Sequence, residues 1–147
     1  EHTKKIFVGT SIGKRKYSFL LRILLGNSFI NKRCSPQENS LIYQNSKIVF
    51  QYARWNEITR RIFESAACNC CILTNRLPHY TQIETLFAHN VSAIYYDGPL
   101  TLIYQLIKLK IKKNLYKQIA KNAYNIVHEN HTQLHRANTL IKLVEEL

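Results

Sequence analysis

Aspartate is almost missing from this chain of 147 residues, in which Asp97 is the only example. A metal ion held by two neighbouring aspartates is therefore excluded. The first predicted strand, "IFVGT", also ends without an acidic residue, which argues against a signalling receiver domain. We expect no bound metal and no cofactor.

Long apolar runs are also missing, and no stretch of about 18 apolar residues is present, so we predict no membrane-spanning helix.

The chain has four cysteines, and their spacing matches neither a zinc site nor a disulfide framework. They are Cys34, Cys68, Cys70 and Cys71. The pattern favours buried free thiols without a disulfide, as in a reducing, cytoplasmic compartment.

Basic residues, in contrast, are abundant: 21 Lys and Arg stand against 9 Asp and Glu, for a net charge of +12. This balance favours a polyanionic partner such as nucleic acid, an anionic membrane surface or phosphate groups. A solvated basic surface encoded by an AT-rich genome is the alternative. The cations are scattered without a known DNA or RNA motif, so we expect no specific nucleic acid. The densest cluster, "KLKIKKNLYK" at 108–117, alternates with apolar residues, which fits a peripheral membrane contact or an acidic partner.

Short β-branched and aromatic runs alternate with helical patterns along the chain. Strands are predicted at 4–10, within 27–34, and at 47–53, 70–75 and 91–97. Helices are predicted at 17–25, from Pro36 with Ser35 as cap, at 57–67, near Pro78, from Pro99, at 114–129 and at 131–146. Because "KIVF" and "CCIL" are apolar on both faces, the strands fit a covered parallel sheet. The pattern predicts an α/β fold over 1–147, with about five parallel strands and helices on both faces.

In sheets of this kind ligands bind where the strands end, which selects the loops 9–16, 51–57 and 75–79. The first reads "GTSIGKRK". Its backbone N–H groups, from Gly9 onward, and Arg15 could hold a phosphate. Its spacing matches neither a Walker loop nor GxGxxG, and a surface turn with solvated cations is the alternative.

The second loop, "YARWNEITRRIFE", leads into the helix predicted at 57–67. Asn56 is a suitable N-cap, and Glu57 suits the positive end of the helix dipole. Arg61 and Glu64 are three residues apart and share a helix face. Apolar neighbours predict that Glu64 is largely buried and needs partners, and its carboxylate can take two ribose hydroxyls. An ordinary surface ion pair is the alternative.

The turn "CNC" after this helix leaves about two residues before the next strand. Asn69 is therefore predicted to adopt a positive φ, for which Asn is the usual second choice after Gly. Cys70 and Cys71 are adjacent and should point to opposite faces of the strand.

These residues together resemble the donor-site core of group 1 GT-B glycosyltransferases. The CgeB-like branch, with the pattern R-x-F-E-x-x-A-C-G-x-x-x-L-T, is the most similar. The matching residues are Arg61, Phe63, Glu64, Ala67, Cys68, Leu73 and Thr74, with Asn69 in place of the Gly. "FVGTSIGKRKYSFLLRIL" is similar to the family's opening strand and phosphate loop. "LIYQNSKIVF" is similar to its segment before the donor loop, and "ENHTQLHRANTLIKLV" to its closing helix.

The resemblance implies the C-terminal, Rossmann-like half of a GT-B fold that binds a nucleotide-diphosphate sugar without a metal. Glu64 falls where the family holds the donor ribose, and Gly9 and Arg15 fall in the loop that faces the diphosphate. Asn56 stands where many relatives carry a Glu facing the donor sugar, and Glu57 is one position off. An N-terminal acceptor domain is implied in a longer chain, so this domain alone should bind donor weakly and transfer nothing. A basic nucleic-acid-binding or non-catalytic interaction module is the alternative function.

Overall fold

A computed structural model describes residues 5–8, 15–30 and 35–146 of the chain. Its centre is a five-stranded sheet in the order β2-β1-β3-β4-β5. The strands are Lys5–Val8 (β1), Phe29–Ile30 (β2), Ser46–Gln51 (β3), Cys71–Asn75 (β4) and Ile94–Tyr96 (β5). All four strand pairings are parallel, so the predicted α/β class and parallel sheet are confirmed.

Seven α-helices lie within the described residues. They are Arg15–Leu25 (α1), Pro36–Gln44 (α2), Arg60–Ala67 (α3), Ile83–Leu86 (α4), Pro99–Ile111 (α5), Lys113–Asn130 (α6) and Gln133–Glu145 (α7). The predicted start of α2 is confirmed as a capping box. Ser35 N–H donates to the Glu38 carboxylate at 2.9 Å, and Glu38 N–H donates to Ser35 Oγ at 3.3 Å.

The core lies on both faces of the sheet. On one face, Phe50 of β3 stacks on Tyr96 of β5 with ring centroids 5.5 Å apart, in a cluster shared with α1 and α5. On the other face, Ile72 of β4 and Tyr95 of β5 pack with α3. The predicted helices on both faces are thereby confirmed. α6 contributes to both clusters and so reaches from one face of the sheet to the other.

The junction between α3 and β4 turns at Asn69, whose φ is 57°, as predicted. Asn69 N–H donates to the Ala66 carbonyl at 2.9 Å, and Cys70 N–H donates to the Ser65 carbonyl at 3.0 Å. These two bonds form a Schellman motif, which ends the helix with a left-handed residue. The chain can therefore enter the buried strand β4 after only three connecting residues.

Three cysteines lie at this junction, and all three are free thiols. Cys70 packs with the cluster that contains Tyr43, whereas Cys71 packs under α1 and α5, so the two point to opposite faces as predicted. Burial raises the pKa of the Cys71 thiol. Burial also raises the pKa of Cys68, and the Glu64 carboxylate adds to the effect. Protonated thiols are weak nucleophiles and weak metal ligands, so these residues act as small apolar side chains. Cys34 lies outside the described residues.

Substitutions at Asn69 should report directly on this turn. Asn69→Gly is expected to be neutral or mildly stabilising, because Gly adopts positive φ freely. Asn69→Val should lower the free energy of unfolding by more than about 1 kcal/mol, because a β-branched residue resists this conformation. Urea unfolding of the three proteins measures both changes, and a Val variant as stable as wild type would contradict the description of the turn.

Candidate functional site

A cleft of about 960 Å³ lies at the carboxyl end of β3, between α2 and α3. Tyr43 of α2 lines one side, and Arg61 and Glu64 of α3 line the other. The segment 52–59, which joins β3 to α3, supplies much of the remaining wall. The volume is typical of clefts that hold a small molecule or cofactor.

The segment 52–59 is held in place by the neighbouring strands. Asn75, the last residue of β4, accepts a hydrogen bond from Ala53 N–H at 2.6 Å and donates to the Ala53 carbonyl at 3.2 Å. The Tyr96 hydroxyl donates to the Gln51 carbonyl at 3.0 Å. Ala53 is only 2% exposed, so water does not readily replace these bonds. The sheet therefore positions this wall of the cleft.

The third selected loop, 75–79, supports the same edge of the sheet. Besides the contacts of Asn75, Arg76 Nε donates to Asp97 Oδ1 at 3.0 Å, and Arg76 also pairs with Glu84. This network joins the ends of β4 and β5 and contributes no residue to the cleft wall.

The start of α3 differs from the prediction. The helix begins at Arg60 with Thr59 as its N-cap residue, rather than at Glu57. Asn56 has a φ of 52° in the preceding turn, so the N-cap role predicted for it is wrong. Glu57 precedes the helix, so its predicted place in the first turn is also wrong. The physical reason is that Ile58 packs partly buried against the core cluster of α3 and β4, and Thr59 is extended, so the helix begins only after both.

The first turn of α3 concentrates positive charge at the cleft. It carries Arg60 and Arg61 and no acidic residue, at the end where the helix dipole is also positive. Glu64 Oε1 lies 3.9 Å from Arg60 Nε, an i,i+4 ion pair at the surface. The Glu64 side chain is 48% exposed, so the predicted burial of this carboxylate is wrong. An exposed pair of this kind contributes little to stability and leaves the carboxylate open to a ligand.

Tyr43 lies at the bottom of the cleft and is almost fully buried. Burial raises the pKa of its hydroxyl to about 12, nearby Arg61 opposes the rise, and Glu64 adds to it. The hydroxyl is therefore neutral at physiological pH and can both donate and accept a hydrogen bond.

Two buried oxygen atoms lie where β3 and β4 end, and neither has a hydrogen-bond partner among the described residues. They are Gln51 Oε1 and Thr74 Oγ1, from two residues that pair across the strands. The amide nitrogen of Gln51, in contrast, donates to the Thr59 hydroxyl. Unsatisfied buried groups are rare in folded proteins and call for an explanation at a functional site.

Three of the six predicted site residues, Glu57, Arg61 and Glu64, line the cleft. Asn56 is not among the residues that line it. Gly9 lies outside the described residues, and Arg15 is the first residue of α1. A phosphate-binding role for Gly9 and Arg15 stays a prediction.

Tyr43 lines the cleft but lies outside the loops selected from the sequence, whereas Gln51 and Trp55 belong to the selected loop 51–57 without having been named as site residues. Trp55 is 74% exposed, and the Arg54 guanidinium lies 5.2 Å from its ring centroid. A signal for it was available, since Trp55 is the only tryptophan and follows the end of a predicted strand. Tyr43 gave no such signal, because it belongs to a helix that only the folded chain brings to the cleft.

The fold and the cleft define a GT-B type domain, and comparison with known proteins agrees. Residues 7–142 match the family model described as glycosyl transferase-like. Because this match covers most of the chain, the chain belongs to the glycosyl transferase-like family. No curated protein sequence matches it.

Solved structures share the fold at low sequence identity. Sucrose-phosphate synthase (tll1590) from Thermosynechococcus elongatus superposes with a TM-score of 0.71 and 12% identity, over 97% of this chain and 38% of that one. Anabaena Alr3699/HepE in complex with UDP superposes with a TM-score of 0.69 and 16% identity, over 97% of this chain and 40% of that one. The C-terminal domain of a glycosyl transferase group 1 family protein (LpcC) from Francisella tularensis superposes with a TM-score of 0.59 and 14% identity. The superposition covers 84% of this chain and 66% of that one. The chain thus spans about two fifths of the length of the first two proteins.

Proposed function

We propose that this chain is the donor-binding domain of a glycosyltransferase, and that a nucleotide-diphosphate sugar binds in the cleft between α2 and α3. One observation carries the proposal. A half-exposed carboxylate, Glu64, follows two arginines at the start of α3, in a nucleotide-sized cleft at the carboxyl end of a parallel sheet. In a member of the glycosyl transferase-like family, this arrangement suits an anionic donor.

The diphosphate is assigned to the positive end of the cleft. Arg60 and Arg61 add their charges to the N-terminus of α3, where backbone N–H groups favour anions. A phosphate-binding role for Gly9 and Arg15, which the resemblance implies, is part of the proposal. These cations and amides would stabilise the charge on the departing nucleotide, so the mechanism needs no metal.

The nucleoside is assigned to the part of the cleft lined by Glu64 and the segment 52–59. Glu64 can accept hydrogen bonds from two ribose hydroxyls, and Trp55 and Tyr52 present aromatic surface for a base. The Anabaena relative has been solved with UDP and with UDP-glucose, so uridine nucleotides are the first ligands to test.

The proposal extends to the whole enzyme. Since this chain spans about two fifths of its full-length structural relatives, an additional N-terminal domain would supply the acceptor site. The pattern from Arg61 to Thr74 supports the CgeB-like branch, and the positive φ of Asn69 accounts for its departure from Gly. The free thiols support a reducing, cytoplasmic location. Alone, the domain would bind donor and transfer no sugar.

Calorimetry with UDP, GDP and uridine tests the proposal. UDP is expected to bind in the micromolar to millimolar range and at least roughly tenfold more tightly than uridine, because charged contacts to the diphosphate are strong. Arg61→Gln should weaken UDP and leave uridine unchanged, whereas Lys142→Gln, an exposed cation on α7, should change neither. Absence of nucleotide binding at millimolar concentration in the full-length protein would contradict the proposal.

A further inference from the structure

One side of α5 carries an exposed apolar stripe that takes no part in the cleft. We call it the α5 stripe, and its members are Leu100, Tyr104, Ile107 and Ile111, which are 50% to 80% exposed. The spacing of four, three and four residues places them on one helix face. The opposite face of α5 is buried in the core. The exposed side of α5 is therefore unusually apolar for a helix that faces solvent.

Lysines border this stripe on both sides. At 100° per residue, Lys108 and Lys110 fall about 80° to either side of its centre. Lys108 donates to the amide oxygen of Asn90 at 2.7 Å, a neutral partner that leaves its charge in place. Residues 98–128 hold six lysines and no Asp or Glu. The border is therefore cationic along the C-terminal half of α5, where Lys108 and Lys110 lie.

α1 extends the same surface. Its buried residues belong to the core cluster that contains those of α5, so both helices cover the same face of the sheet. Phe19 and Ile23 of α1 are exposed on the outward side, together with Arg22. The outward layer formed by α1 and α5 thus combines exposed apolar side chains with the positive charges of Arg22, Lys108 and Lys110.

The composition of this layer discriminates among polyanionic partners. A nucleic-acid surface places cations at its centre, whereas here the centre is apolar and the cations lie at its border. Protein interfaces are enriched in Arg and depleted in Lys, whereas all six cations of 98–128 are Lys. An apolar stripe flanked by lysines is the pattern of a helix lying in the surface of an anionic bilayer.

We propose that the layer of α1 and α5 binds anionic lipid bilayers, with the α5 stripe inserted between headgroups and acyl chains. In the described part of the chain, no helix has the length and hydropathy needed to cross a bilayer, so the contact is at the surface. The cleft between α2 and α3 draws none of its lining from α5, where the variants below lie. Lipid and nucleotide binding can therefore be tested separately.

Flotation with vesicles of phosphatidylcholine containing 30% phosphatidylglycerol tests this inference. The wild-type chain should bind these vesicles at least roughly tenfold more tightly than vesicles of phosphatidylcholine alone, and more weakly as salt is raised. Ile107→Ser with Ile111→Ser should reduce binding roughly tenfold or more. Lys110→Gln with Lys112→Gln should reduce binding only to the anionic vesicles. All four positions are exposed, and circular dichroism verifies that the variants are folded.

The matched control is Leu134→Ser with Val144→Ser, which removes two equally exposed apolar residues from α7. This control should bind vesicles as the wild type does. Loss of binding in the control but not in the α5 variant would overturn the assignment. Binding to heparin or random DNA without binding to either vesicle would also overturn it, in favour of a soluble polyanion. UDP affinity should be unchanged in every α5 variant.

Discussion

Glu64→Gln is expected to weaken UDP binding at least about tenfold while leaving the fold intact. Glutamine keeps the shape and accepts one ribose hydrogen bond, but it loses the charge that strengthens two of them. Charge-assisted hydrogen bonds contribute about 1.5–3 kcal/mol each, which corresponds to a tenfold change or more. Calorimetry with UDP measures the change directly.

The stability of the Glu64→Gln variant should be close to that of the wild type. The side chain is half-exposed, and its pair with Arg60 spans 3.9 Å at the surface. Such a pair contributes about 0.5 kcal/mol or less. Glu129→Gln, an exposed carboxylate at the end of α6, is the matched control and should change neither stability nor UDP affinity.

Comparing the affinities for UDP and 2′-deoxy-UDP tests whether Glu64 contacts the 2′-hydroxyl of the ribose. If Glu64 contacts the 2′-hydroxyl, the wild type should lose more affinity on deoxygenation than the Gln variant, because the variant has already lost part of that interaction. Equal losses in the two proteins would show that the ribose contact lies elsewhere. Unchanged UDP affinity in the variant would lead to the same conclusion, with the fold unaffected.

Asn75→Ala is expected to lower both the stability of the chain and its affinity for UDP. The substitution removes two hydrogen bonds to Ala53, which is buried. An unpaired buried backbone group costs about 1–3 kcal/mol, so urea unfolding should show a loss of about 2 kcal/mol. Because the same bonds hold the segment 52–59 against the sheet, the cleft should bind UDP more weakly.

Two variants test whether this effect belongs to the hydrogen bonds of Asn75. Asn75→Asp still accepts from Ala53 N–H but cannot donate to the Ala53 carbonyl, so its stability should be intermediate. Asn122→Ala removes one exposed amide bond, to the Val91 carbonyl at 2.8 Å, and should cost less than about 1 kcal/mol. If Asn75→Ala were as stable as Asn122→Ala, the segment would not depend on this anchor.

Features that depend on a few neighbouring residues were predictable from the sequence. The capping box of Ser35 and Glu38 needs only a hydroxyl and a carboxylate three residues apart. The positive φ of Asn69 follows from a helix that must end a few residues before a buried strand. The parallel sheet follows from strands that are apolar on both faces. In each case the deciding interaction is local, or it follows from the apolar content of one segment.

Only the tertiary structure decided the start of α3 and the walls of the cleft. Asn56 and Glu57 carry a favourable local signal for a helix start, but Ile58 packs partly buried against the core and Thr59 is extended, so the helix starts only after them. Tyr43 reaches the cleft because α2 packs beside α3, and Glu64 is half-exposed because the cleft opens beside it. Long-range packing outweighs local propensity at these positions, because burying an apolar side chain stabilises the fold by more than a cap does.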